Sequence, residues 1–311
     1  MEKIKVLIYG AGAIGVYFGG QLVKAGYEVT FIDTPERVEL VQEKGLAIRD
    51  EKGDFYDFEP TIVDNPAGLD PQDLILVAVK AFHTYDISLN LLPILKPTSV
   101  IVSLQNGLEN EKVMADLLGS NLVIGASPRF SGALLEGVTL IQQAPAFLYF
   151  GEMDNQPSER LDWLSKIFSH AGINHQISHN ISLEIWKGAL WNSTYNLVSA
   201  LTRSNMMDIS ACQAMQVTLN QMLSEICAIA QAEGVTIPEE IVNEVRNQSV
   251  SMGKTKSNML KDLELGQMPE LEPLIGSLLK KAEDHGIPTP VNTTVYNLMI
   301  LNLANYEIEE A

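Results

Sequence analysis

The stretch Lys5-Val6-Leu7-Ile8-Tyr9-Gly10-Ala11-Gly12-Ala13-Ile14-Gly15, continued by residues 16–26 and then by Tyr27-Glu28-Val29-Thr30-Phe31-Ile32-Asp33, decides the fold. A short apolar run rich in β-branched residues feeds a Gly-x-Gly-x-x-Gly turn, a helix-length segment follows, and a second apolar run ends in an acid. That is the order of a dinucleotide-binding βαβ unit. Gly10 permits the tight turn out of the strand, Gly12 lets the backbone approach a pyrophosphate, and Gly15 lets the helix pack closely on the sheet. The pyrophosphate is expected over the turn that also contains Ala11, Ala13 and Ile14, where free N–H groups and the helix dipole favour negative charge. Asp33 stands about 20 residues beyond the turn, where an acid meets a ribose hydroxyl pair.

Residues 6–23 carry no charge and follow a basic start, the pattern of a signal peptide or a membrane helix. Five glycines among those positions weaken any such helix and deny it a compact apolar centre. With 311 residues and 46% hydrophobic content, the chain can bury two cores. Its formal charge of −18 opposes nucleic acid and anionic membrane surfaces as partners, so an anionic cofactor must be held by local dipoles and a few placed cations. Cys212 and Cys227 have no metal-ligand spacing, so buried free thiols are expected and no metal site is assigned. The lack of a secretory signal fits a cytoplasmic setting.

Beyond Asp33, residues 35–45 read as a helix opened by Pro35 and stopped by Gly45. A carboxylate at the end of the second strand suits NAD and repels the 2′-phosphate of NADP, whereas Arg37 offers a phosphate partner. Residues 46–63 alternate around Glu51-Lys52-Gly53-Asp54 and suggest a hairpin. Leu74-Ile75-Leu76-Val77-Ala78-Val79-Lys80 is a continuous apolar run of a strand buried on both faces, ending in a cation. Ser99-Val100-Ile101-Val102-Ser103-Leu104 repeats the pattern and ends in Gln105-Asn106-Gly107. Ligands of open α/β sheets lie beyond the carboxyl ends of the strands, which places Lys80 and Asn106 at the site. Strand signals stop near residue 180. Met215, Leu219, Met222, Leu223, Ile226 and Ile229 then follow helical spacing, with methionines as core fillers. The expected architecture is α/β, a Rossmann-type doubly wound sheet over residues 1–179, followed by an all-α substrate and dimerisation domain over residues 180–311.

Several of these stretches together resemble the ketopantoate reductases (2-dehydropantoate 2-reductases). The set comprises the glycine turn, Val79-Lys80-Ala81, Leu104-Gln105-Asn106-Gly107, Asn192 and Asn196 in a helix, and Asn258-Met259-Leu260-Lys261-Asp262 followed by Glu270. The resemblance spans nearly the whole chain. It implies an NADPH-dependent reductase of a 2-keto acid, making (R)-pantoate for coenzyme A synthesis. NADP is therefore named first, with NAD open because Asp33 favours it. By position, Lys80 and Asn106 match family residues that touch cofactor and substrate, Asn192 and Asn196 the pair that holds the substrate, and Glu270 the site carboxylate.

Two departures stand out. The family's general-acid lysine precedes the first of these asparagines by four residues, and Gly188 stands there. Lys187 is adjacent, but one helical residue turns a side chain by about 100°. Either the helix is locally overwound so that Lys187 reaches in, or another group supplies the proton, with Lys80 the best remaining acid. Asn258 stands where a serine is usual. Hydride addition to a ketone builds charge on oxygen that a positioned acid neutralises, the role assigned to Lys187 with Glu270. Lys80, Asn106 and Asn258 supply donors for the carboxylate of the acid. The rival expectations are a related 2-keto acid reductase or opine-type dehydrogenase of the same architecture, and a non-catalytic protein that senses NADPH and NADP. The resemblance and the apolar helices allow a homodimer.

Overall fold

A computed structural model of the protein describes residues 4–305. The chain forms two compact units, one containing the chain up to Gln105 with Asn110–Glu184, the other containing Asn106–Glu109 with the chain from Ile185. The division thus falls five residues beyond the expected boundary, inside a helix, and the turn that carries Asn106 belongs with the helical unit.

The first unit runs β1 (Lys5–Tyr9), α1 (Ala13–Lys24), β2 (Glu28–Ile32), α2 (Pro35–Lys44), β3 (Leu46–Arg49), β4 (Phe55–Phe58), β5 (Thr61–Val63), β6 (Leu74–Val77), α3 (Thr84–Leu91), β7 (Val100–Ser103) and α4 (Asn110–Leu118). It continues through β8 (Val123–Arg129), β9 (Gly132–Leu135), β10 (Thr139–Gln142), β11 (Phe147–Gly151), α5 (Glu159–His170) and β12 (His175–Ile177). The main sheet has the order β12-β11-β8-β7-β6-β1-β2-β5. Its pairs are parallel apart from β11 against β8. Strand order reverses between β1 and β6, and a ligand crevice opens at such a reversal.

The apolar runs behave as strands covered on both faces. Val6, Ile8, Leu74, Leu76, Val100 and Val102 enter one core, and Leu7, Tyr9, Ile75, Val77 and Ile101 enter another. The hairpin expected in residues 46–63 is the antiparallel pair β3–β4, and β10 and β9 extend it into a second sheet of order β4-β3-β10-β9. Helix α1 packs against both sheets, which accounts for its glycines. A Cβ on Gly19 would lie 2.4 Å from the Phe31 ring, and one on Gly20 would lie 2.5 Å from Ile48. Among the described residues no helix is long and apolar enough to cross a membrane.

The second unit contains most of α6 (Ile181–Trp191), then α7 (Leu197–Thr202), α8 (Met206–Ala211), α9 (Gln213–Ala232), α10 (Glu239–Ser251), α11 (Asn258–Glu264), α12 (Ser277–Asp284) and α13 (Pro290–Leu303). Its core gathers Trp186, Leu190, Tyr195, Leu219, Met222, Ile226, Leu260 and Ile275, so Met222 fills core space as its spacing implies. Two stretches, Asn192–Asn196 and Glu272–Gly276, are wide π turns, and they pack against each other. The thiols differ from expectation: Cys212 is exposed and Cys227 half-buried, with burial pushing the Cys227 thiol up.

Candidate functional site

The glycine turn sits at the reversal of strand order. Gly10 leaves β1 with φ +105, and a Cβ there would lie 2.9 Å from the Ala78 backbone at the end of β6. A Cβ on Gly15 would fall 1.8 Å from the Gly10 carbonyl oxygen, so helix and turn touch there. Gly12 differs: its φ of −73 suits any residue, and a Cβ would meet nothing within 4 Å. Packing does not require this glycine. As the N-cap of α1 it also offers no side-chain cap to the first turn, leaving open space before a helix N-terminus. That space and those donors fit a pyrophosphate.

Asp33 and Arg37 close on the same loop. Asp33 accepts the Ala11 N–H at 2.6 Å and the Thr34 N–H at 2.8 Å. Arg37 donates to the Ala11 carbonyl at 2.8 Å. Burial lowers the Arg37 pKa, and the nearby Asp33 charge opposes that fall. The sequence named both residues for the adenosine end of a cofactor, and the structure brings them together at Ala11.

At the ends of β6 and β7, polar side chains join the strands from within. Gln105 donates to the Val79 carbonyl at 3.1 Å and to the Thr84 hydroxyl at 2.9 Å, and that hydroxyl lies 2.8 Å from Asn110 Oδ1. Lys80 is half-buried and opens the short turn Ala81–His83. Asn106 is half-buried and precedes Gly107, whose φ is +123. Sequence reasoning gave Gln105 no role; its signal was an amide at a strand end.

In the helical unit the two asparagines meet inside the first π turn. Asn196 Nδ2 donates to Asn192 Oδ1 at 3.1 Å, and Asn196 Oδ1 accepts the Met259 N–H of α11 at 3.0 Å. Ser257 donates through Oγ to the Asn196 carbonyl at 3.1 Å and caps α11 by accepting the Leu260 N–H. Asn258, the residue carried over from the family position, is exposed, whereas the neighbouring Ser257 is buried.

The lysines answer the expectation of overwinding. Helix α6 runs unbroken past Lys187 and Gly188, and the change in pitch comes later, at Asn192, as a loosening rather than a tightening. The Lys187 ammonium pairs with Glu244 of α10. Glu270 is half-buried, and its carbonyl accepts the Leu274 N–H as the second π turn begins. Lys261 of α11 received no role from the sequence. It is half-buried, takes no ion pair among the described residues, and its pKa is lowered by burial, against the Asp262 charge. Partial burial that lowers a lysine's pKa eases release of its proton.

The family model described as Ketopantoate reductase PanE/ApbA matches residues 6–155, and that of its C-terminal part, Ketopantoate reductase PanE/ApbA C terminal, matches residues 180–302. The chain is similar to the uncharacterized oxidoreductase YkpB of Bacillus subtilis (strain 168), with 31% identity over 99% of this chain and 100% of that one. It is 28% identical to the 2-dehydropantoate 2-reductase of Archaeoglobus fulgidus, over 96% of this chain and 98% of that one. A solved PanE/ApbA family ketopantoate reductase from Ralstonia eutropha JMP134 superposes with a TM-score of 0.87 at 28% identity, covering 96% and 98% of the two chains. With the glycine turn at the reversal of strand order and these matches over both units, the chain belongs to the ketopantoate reductase family, whose members are nicotinamide-dependent oxidoreductases.

Proposed function

We propose that the protein reduces 2-dehydropantoate to (R)-pantoate with NADPH. The observation that carries this reading is the buried amide pair Asn192–Asn196, held by Met259 in the stretch that leads to Glu270. Amide donors of this kind suit the oxygens of a 2-keto acid. The turn of Gly10, Ala11, Gly12, Ala13, Ile14 and Gly15 holds the pyrophosphate of the dinucleotide, which supplies the hydride when bound. Lys80 and Asn106 serve cofactor and substrate, Asn258 the substrate carboxylate, and Arg37 the 2′-phosphate.

Lys187 with Glu270 protonates the oxygen that gains charge. Lys261 is the second reading for that proton, favoured by its burial and by the ion pair that engages Lys187. For the cofactor the second reading is NADH, favoured by the Asp33 carboxylate beside Arg37.

The test is consumption of reduced nicotinamide, followed by its near-ultraviolet absorbance, with 2-dehydropantoate and a panel of other 2-keto acids. Turnover greatest with 2-dehydropantoate is expected. Turnover only with another keto acid moves the assignment to a related reductase. Cofactor binding without turnover of any keto acid leaves a sensor.

A further inference from the structure

We infer that a backbone N–H of α11 sets the polarity of the Asn192–Asn196 pair, so that Asn192 offers its ligand Nδ2 as a hydrogen-bond donor. This rests on the site assignment proposed above and divides the labour within it: Asn196 is a positioning residue and Asn192 makes the contact.

The argument starts from a group with no choice. The Met259 N–H can only donate, and its partner at 3.0 Å is the Asn196 side chain, so Asn196 must present Oδ1 there. Its Nδ2 is thereby turned to Asn192 at 3.1 Å, and a nitrogen that donates requires Oδ1 of Asn192 to face it. Reversing either amide alone would set two donors against each other in a place where Asn192 and Asn196 are 8% and 5% exposed. An unmet buried donor disfavours such a state by roughly tenfold or more.

Both amide orientations therefore follow from one peptide group. With its oxygen turned to Asn196, Asn192 keeps Nδ2, which takes no hydrogen bond among the described residues. The relay is fixed at its base by three links between α11 and the α6–α7 helix: the Met259 bond, Ser257 Oγ on the Asn196 carbonyl, and Ser257 N–H on Ser199 Oγ at 3.4 Å. A donor held in this way selects a ligand atom with lone pairs to offer, such as a keto or carboxylate oxygen.

The test is solvent exchange of the side-chain amides in ligand-free protein labelled with 15N-asparagine. The Asn196 NH2 should exchange slowly and the Asn192 NH2 at least tenfold faster. In Asn196→Asp the Met259 bond is kept but the second oxygen now seeks a donor, so Asn192 should turn its NH2 inward and its exchange should slow at least tenfold. A purely structural asparagine predicts no such reversal. A protected Asn192 amide in the unsubstituted protein, or one unaltered by Asn196→Asp, overturns the relay. The amide measurement needs no substrate. If 2-dehydropantoate is not turned over, the functional reading falls while the exchange data still decide the relay.

Discussion

Lys187 of α6 is ion-paired with Glu244 of α10, so the lysine nearest the family's acid position is tethered to a neighbouring helix through its charge. If this lysine delivers the proton, Lys187→Ala should lower kcat by about 10²-fold or more while reduced-cofactor affinity stays within about threefold. The same assay on Lys261→Ala separates the two readings. Unchanged turnover in the Lys187 variant together with a large loss in the Lys261 variant would assign the acid to α11.

Asp33 and Arg37 grip the N–H and the carbonyl of Ala11, so cofactor choice rests on two charges of opposite sign at one residue. Asp33→Ala removes the charge that repels a 2′-phosphate. The ratio of kcat/KM for NADPH over NADH should rise about tenfold, about 1.4 kcal/mol. Arg37→Ala should lower that ratio. No movement in either variant removes the pair from cofactor selection.

Two glycines of the turn should fail in different ways. A methyl on Gly15 collides with the Gly10 carbonyl, so Gly15→Ala should lower both the melting temperature and cofactor binding. A methyl on Gly12 enters open space at an ordinary φ, so Gly12→Ala should melt with the unsubstituted protein and still bind the dinucleotide about tenfold or more weakly. Calorimetry paired with a nucleotide titration gives both numbers. Full affinity in Gly12→Ala would remove the pyrophosphate from that space.

Acid sensitivity has an identifiable source at Asp73. Burial pushes its carboxyl up, but the Lys96 ammonium and the Lys5 N–H at 2.9 Å outweigh this and hold it below the usual range. A carboxyl depressed in the folded state adds stability that is complete above the unfolded value, near pH 4, and disappears as pH falls through the folded value. Asp73→Asn should therefore be less stable than the unsubstituted protein at pH 7, with the gap in urea midpoints shrinking below about pH 4. A gap that stays constant across that range would show that the ion pair is not its cause.

The first unit was readable because its signals are local. A buried strand needs a continuous apolar run, and a glycine turn at its end needs its residues in one order, so β1, β6, β7 and the turn all announce themselves. The second sheet was less visible because β3 pairs with β10, about 90 residues away, and neither strand carries a mark of its partner. At the site, Asp33 and Arg37 could be named in advance, but their meeting at Ala11 could not, since side-chain reach is not written in spacing. Lys187 was judged by helical phase, whereas its ion pair depends on where α10 lies. Ser257 and Gln105 carry no role in the sequence reading because polar residues beside strands and helices most often bond the backbone, as both do here.

The widened segment at Asn192–Asn196 has a genetic consequence. An i→i+5 turn holds one residue more than the regular coil on either side of it. Deleting a single codon there would remove the extra residue and restore the regular coil, with the helix on either side kept close to its present phase. A deletion between Gly188 and Asn192, where the coil is regular, would instead turn Lys187 and Gly188 together by about 100° relative to Asn192, without altering a letter of either.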